Sequence, residues 1–599
     1  MPIDGAYDPE RPLARGYDTR LLRRLWPYLR PHLRRLAGAV VLVLLITALE
    51  VALPYVTKMA IDGYIVPRSG DLPVPARLAG IARLTGVFLV LAAASFAANF
   101  FQVQAMEAIG QRVMHALRID LMAHVLRLPV GFFDRQPVGR LVTRATNDTQ
   151  NLHELFTSVV AFVFKDLFLM AGIATILLAL DARLALLSFS ILPLVMAAAW
   201  YFARRSRTLF RQLTLRLAEI NTRLSETIGG LAVIQLMGRE AANARSFRAL
   251  NDIHYRLGMD QIHVFAVFMP VIEFLSAATL AMVIYFGGGA VIAEHISLGT
   301  LVAYISYMRM FFRPIRDVSE KYNIMQNAMA SVERIFGLMD ETAVDAPPRP
   351  AGASTPAADK DAALVFQDVV FGYNPDQPVL NGLSLHLAPG ETLAVVGPTG
   401  AGKTSMIHLL LRFYEPSKGK ICFQGRDVAT RGAADLRRDI ALVSQDPFLF
   451  SDTLGANIFP DGLPSSSETA ALLAAAQCTD LVQRLPHGLD TRIGEGGRTL
   501  SSGERQLVAI ARALARNPSL IIFDEATAHV DSATEDRIQT ALDHLTRRRT
   551  AILIAHRLST ARSAHRIAVL NHGRIVEQGT HEQLLAQGGF YHRLCQQQV

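Results

Sequence analysis

The fold class this sequence predicts is an α-helical six-helix transmembrane domain followed by an α/β P-loop domain, and three observations predict it. About six apolar segments crowd the first half of the 599-residue chain. Composition agrees: 51% of residues are hydrophobic, 19% are charged, and mean hydropathy is +0.26, values foreign to a water-soluble protein. In the second half, Gly397-Pro398-Thr399-Gly400-Ala401-Gly402-Lys403-Thr404 fits the G-x-x-x-x-G-K-[ST] phosphate loop at every fixed position.

The chain begins basic. Arg20, Arg23, Arg24, Arg30, Arg34 and Arg35 all precede the first apolar run, and the formal net charge is +8. A nucleic-acid patch would look similar, but an apolar helix follows at once, so the arginines read as the positive-inside signal of a membrane protein. No nucleic-acid partner is expected. No short apolar core with a small-residue cleavage site is visible. A bilayer core of about 30 Å takes about 20 helical residues. Segments of that order fall near 36–56, 81–101, 155–180, 184–203, 264–292 and 298–312. An even number of spans returns the chain to the cytoplasm. It also leaves the Pro- and Gly-bearing loop 62–77 and the minimal turn 181–183 outside. The two long stretches between spans two and three, and between spans four and five, then lie inside; their amphipathic pattern predicts helices that run on beyond the bilayer.

At 341–362 the composition changes to a Pro/Ala/Asp linker, Asp345-Ala346-Pro347-Pro348-Arg349-Pro350 within it. The expected domains are therefore a membrane domain at 1–340 and an α/β domain at 363–599. The latter shows short β-type runs alternating with helices. Cys422, Cys478 and Cys595 are too few and too scattered for a metal motif, and read as reduced thiols.

The phosphate loop follows an apolar strand, Leu393-Ala394-Val395-Val396, and opens a helix at Ser405. Glycines there let backbone N–H groups converge on phosphate oxygens at a helix N-terminus. Lys403 is expected to reach the β- and γ-phosphates, and the Thr404 hydroxyl to ligate magnesium. A second apolar strand, Leu520-Ile521-Ile522-Phe523, ends in Asp524-Glu525. Asp524 is placed to hold magnesium and Glu525 to polarise an attacking water. The expected cofactors are ATP and Mg2+.

Leu500-Ser501-Ser502-Gly503-Glu504-Arg505-Gln506, just ahead of that strand, resembles the signature of ATP-binding cassette (ABC) proteins. With the membrane half included, nearly the whole chain resembles an ABC exporter half-transporter of multidrug or lipid type. The resemblance implies roles for further residues. Tyr373 would stack on adenine, Gln445 would sense magnesium, Glu525 would be the catalytic base, Asp531 would sit in the D-loop, and His556 would contact the γ-phosphate. Ser501 and Gly503 would meet the γ-phosphate held by a second half-transporter, the same chain or a different one. Two departures stand out: Ser502 and Glu504 replace the usual glycine and glutamine, and 527–531 reads Thr-Ala-His-Val-Asp. Such variants resemble subunits of heterodimeric exporters.

The resemblance further implies an ATPase of the cytoplasmic (inner) membrane that exports lipophilic or amphipathic small molecules, drugs or lipids by alternating access. The alternative is a regulatory half with little hydrolysis of its own. The loops at 129–141 and 229–240 resemble the family's coupling loops, which face the Gln445 region. Among charges in the spans, Lys165 and Glu273 are expected near the inner interface, where snorkelling accounts for them. Arg309 falls about 17 Å below the outer end of its segment, near mid-membrane, and is a candidate cargo contact.

Overall fold

The computed structural model describes residues 19–66, 73–342, 362–374, 376–524, 532–547, 549–555 and 558–597. The chain divides into two compact units. One is Met1–Leu126 with Val138–Glu341; the other is Arg127–Pro137 with Thr342–Val599.

The first unit is all helix. Its long members are Leu33–Ala60, Val74–Val125, Ala161–Leu180, Leu192–Gly229, Glu240–Ile292 and Leu298–Met339. At a rise of 1.5 Å per residue the 52-residue helix Val74–Val125 is about 78 Å long, far more than a bilayer core of about 30 Å. The expectation that the helices run on beyond the bilayer holds in these lengths. Four helical runs among the described residues are long and apolar enough to cross a membrane: Arg23–Ile65, Val74–Val125, Ala182–Gly229 and Glu240–Ile292. Segments 155–180 and 298–312, also expected to span, are not among the four. The second carries Arg309 and two tyrosines, which lower its hydropathy. The fourth segment is not one helix. Pro193 has no N–H for the carbonyl of Phe189, and the helix breaks between Phe189 and Leu192.

Several polar groups inside this unit are paired with groups on other helices. Tyr304, fully buried, donates its hydroxyl towards the carbonyls of Leu177 and Asp181 at 2.5 and 2.6 Å, where helix Ala161–Leu180 ends. Tyr307 donates to the carbonyl of Val51 at 2.7 Å. These two residues tie Leu298–Met339 to two other helices through backbone oxygens; those of Leu177 and Asp181 also accept backbone N–H groups, from Asp181 and Ala185. Lys165, expected to snorkel, instead donates to Glu50 at 2.9 Å, with its side chain 21% exposed. The pairing wins because a carboxylate on the neighbouring helix offers what the interface would otherwise supply. Asp148 is buried at 3% exposure and accepts from Arg334 at 2.5 and 2.9 Å and from Ser331 at 2.9 Å.

In the second unit a six-stranded sheet runs β10-β9-β3-β8-β7-β6 and a four-stranded sheet runs β2-β1-β4-β5. The strands are β1 Leu364–Phe371, β2 Leu380–Leu387, β3 Thr392–Val396, β4 Lys418–Phe423, β5 Arg426–Asp427, β6 Ile440–Val443, β7 Leu520–Asp524, β8 Thr550–Ile554, β9 Arg566–Asn571 and β10 Arg574–Gly579. β3 and β8 are buried at every position, as unbroken apolar strands of a parallel sheet must be. The expected strand–helix alternation fails at the start. β1 pairs antiparallel with β2 because the connection between them is too short for a crossover helix.

Truncating Arg334 to Ala would strand the Asp148 carboxylate with Ser331, and is expected to lower stability by about 2–3 kcal/mol. Arg24→Ala, which breaks an exposed pair with Asp340, should cost under about 1 kcal/mol. Thermal unfolding of the two variants in detergent measures the contrast.

Candidate functional site

Strands β9, β3, β8, β7 and β6 are mutually parallel, so their carboxyl ends share one edge of the sheet. Ligands of open α/β sheets bind along such an edge. The phosphate loop leaves β3 there. Gly397 is required by close approach: a Cβ on it would lie 2.1 Å from the carbonyl oxygen of Leu570. Gly402 turns the chain at φ +106° into helix Lys403–Leu410, and a Cβ on it would lie 2.7 Å from the Leu380 side chain. Pro398, Thr399 and Gly400 between them are exposed, as is Thr404 on the first turn, while Ala401 and Ser405 are buried beneath.

Lys403 is 6% exposed and folds back to donate to the carbonyls of Gly397 and Pro398 at 2.6 and 3.1 Å. Burial pulls its pKa down, and the nearby Asp524 carboxylate pulls it back up. The ammonium is thus held inside the loop, and among the described residues no ion pair meets it directly. Asp524 ends β7, and Gln445 stands exposed two residues past the end of β6, its neighbour in the sheet. The Thr404 hydroxyl apart, this donor set is a carboxylate and an amide. Hard oxygen donors few in number suit magnesium, which completes its shell with phosphate and water. Among the described residues no three His, Cys, Asp or Glu side chains cluster as a metal site. Glu525, Asp531 and His556 lie outside the described residues.

Tyr373 is about half exposed, with its hydroxyl 3.2 Å from both Ser405 Oγ and His408 Nδ1. Its ring meets Phe371 and Tyr414 edge-on at 5.0 and 5.1 Å. The tyrosine is therefore anchored by its hydroxyl to the phosphate-loop helix while about half of the residue stays exposed. The sequence did not single out Tyr414 or His408. Tyr414 donates to Asp134 at 2.5 Å and packs on Gly131, both in the short segment Arg127–Pro137. Burial and the Asp134 carboxylate push the phenol pKa up, and burial pushes that of His408 down. Gly131 and Asp134 belong to the loop at 129–141, so the contacts of that loop include Tyr414. A phenol next to a short acidic loop carries no local sequence signature.

Ser501 caps helix Ser502–Ala515. Its Oγ accepts from the Glu504 amide at 3.2 Å, and the Glu504 carboxylate accepts from the Ser501 amide at 2.8 Å. This capping box explains Glu504, which seemed a departure: S-x-x-E at a helix start is itself a readable signal. Glu504 also pairs with Arg484. Ser501 keeps its hydroxyl proton to donate, since one accepted bond leaves it free. Gly503 is buried in the first turn. Further along, Arg512 donates to Asn457 and to the Phe448 carbonyl at 2.7–3.1 Å, pinning the helix to the segment that follows Gln445.

Residues 36–315 match the family described as ABC transporter transmembrane region, and residues 380–528 match ABC transporter. The chain is 36% identical over 579 residues to an ATP-dependent lipid A-core flippase of Thiobacillus denitrificans, covering 96% of this chain and 97% of the relative. It is 36% identical over 518 residues to a fatty acid ABC transporter ATP-binding/permease protein of Mycobacterium bovis, covering 86% and 81%. Its fold is similar to the solved structure of a bacterial Atm1-family ABC exporter with ATP bound, at TM-score 0.77 and 26% identity, covering 97% of this chain and 99% of that one.

If Glu504 acts as a cap, Glu504→Ala should cost about 1 kcal/mol, and Glu504→Gln, which still accepts at the N-cap, much less. Hydrogen exchange at the amides of 502–505 separates them: faster in the alanine variant, near wild type in the glutamine variant.

Proposed function

This chain belongs to the ATP-binding cassette transporters as an exporter half-transporter whose ATPase is coupled to movement across a membrane, and from that premise we propose how its residues serve the task. The observation that supports the reading is the convergence of Lys403, Asp524 and Gln445 on the carboxyl edge of one parallel sheet. Backbone amides of Gly397–Thr404 bind the β- and γ-phosphates at the helix N-terminus. Lys403 leaves the carbonyls of its own loop for the phosphate, a change that gives its buried charge a counterion. Tyr373, half exposed, stacks on adenine. Thr404, Gln445 and Asp524 hold magnesium, which supplies charge neutralisation on the phosphates. Glu525 orients the water, and His556 contacts the γ-phosphate. Ser501 and Gly503 meet the nucleotide held by a second half, with Asp531 beside them.

The membrane unit crosses the inner membrane six times in this reading, with segments 155–180 and 298–312 completing the four strongly apolar helices. The N-terminus and the ATPase lie in the cytoplasm, and access alternates as two halves close on ATP and part after hydrolysis. Relatives named for lipid A-core and fatty acid support an amphipathic, lipid-like cargo. Arg309, exposed on its helix, is the cargo contact in this reading.

ATP hydrolysis by the chain alone in lipid nanodiscs tests the site. Turnover is expected, and Glu525→Gln should lower it at least about a hundred-fold while leaving ATP binding intact. Binding without turnover in the wild-type chain would sink the self-sufficient dimer and call for a different partner half. For the cargo assignment, Arg309→Ala should reduce the stimulation of hydrolysis by anionic amphiphiles; unchanged stimulation across a lipid and drug panel would remove it.

A further inference from the structure

We propose that a groove between helices Leu33–Ala60 and Val74–Val125 binds one anionic lipid of the cytoplasmic leaflet, its headgroup held between Arg35 and Arg112. The cavity there is about 750 Å³ and open along one side. Its two ends differ in chemistry. Arg35 and Arg112 line it with no carboxylate among the lining residues, and apart from the neutral amide of Gln104 the rest is small or apolar: Gly38, Val41, Ala105 and Ala108 among them. Both arginines are exposed, and neither is ion-paired among the described residues. Glu107, the acid closest to Arg112 in sequence on that helix, is turned to His153 at 3.1 Å.

Depth places the groove at the edge of the hydrocarbon. Arg35 and Lys58 lie on one continuous helix about 35 Å apart at 1.5 Å per residue, close to the thickness of a bilayer core. Arg35 therefore stands at headgroup level on the side of the N-terminus, and Val41, about 9 Å further along, stands among acyl chains. Two guanidiniums that converge on one cleft suit a phosphate, which takes bidentate bonds from each. An acyl chain suits the remainder. Gly38 and the two alanines leave the width for it: a Cβ at Gly38 would meet no atom within 4 Å. The site requires only a chain that spans a membrane, and it stands whether or not lipid is also the cargo.

The full-length protein in detergent, titrated with phosphatidylglycerol or phosphatidylcholine and read by native mass spectrometry, tests this. Phosphatidylglycerol, whose phosphate charge is not offset by a choline cation, is expected to bind tighter, and the double variant Arg35→Gln/Arg112→Gln should weaken it by about ten-fold or more and phosphatidylcholine less, so that the preference is lost. Gly38→Leu, whose side chain enters open space, should reduce both lipids. ATP binding serves as the check that each variant is folded, since none of these residues is near the nucleotide site in the chain. An unchanged preference for phosphatidylglycerol in the double variant would overturn the proposal. So would full competition by inorganic phosphate, which would make the site one for a soluble anion. Loss of dimer in Gly38→Leu with lipid binding intact would assign the groove to a second copy instead.

Discussion

A polar group taken away from water must be met inside the chain, and this constraint shapes both units. Where lipid replaces water, the tyrosines of helix Leu298–Met339 find backbone carbonyls of other helices, whose second lone pair remains to accept them. Lys165 finds Glu50, and Lys321 finds Asp166. Each pair fixes the register of two helices that apolar packing alone would leave free to slide, because contacts between apolar side chains are similar in many registers. In the ATPase unit the same constraint folds Lys403 onto its own loop and closes the amide ends of helix Ser502–Ala515 with Ser501 and Glu504.

A parallel sheet adds direction to that constraint. Five strands that point the same way put five chain exits on one edge, and residues separated by more than a hundred positions become neighbours there. Gly397, Gln445 and Asp524 share no local pattern; the ladder β3-β8-β7-β6 is what brings them together. The loop glycines are the local part of the device. Leu570 and Leu380 press so closely on Gly397 and Gly402 that any larger residue would move the loop off the sheet edge.

The phosphate loop, the strand before Asp524 and the signature were legible in the sequence because each is written in contiguous residues. So were four of the membrane helices, whose apolar runs are long and unbroken. Segment 298–312 was harder because its tyrosines and Arg309 lower its hydropathy, although Tyr304 and Tyr307 are fully buried in the unit. Glu504 looked like a defect until the helix start showed it bonded to Ser501. Tyr414 with Asp134 was not legible at all. They lie 280 positions apart and depend on tertiary packing alone. Lys165 was misjudged for the same reason: its depth could be counted along one helix, but Glu50 belongs to another.

The helix Val74–Val125 has a mechanical meaning apart from its length. After its first turn it contains no proline, so nothing in it invites a hinge. A rod of about 78 Å pivoting by 5° carries its far end through about 7 Å, more than one helical turn's rise. Angular changes too small to disturb side-chain packing at one end therefore become displacements of several ångströms at the other. Geometry alone provides the gain, and a flexible joint anywhere along the rod would dissipate it.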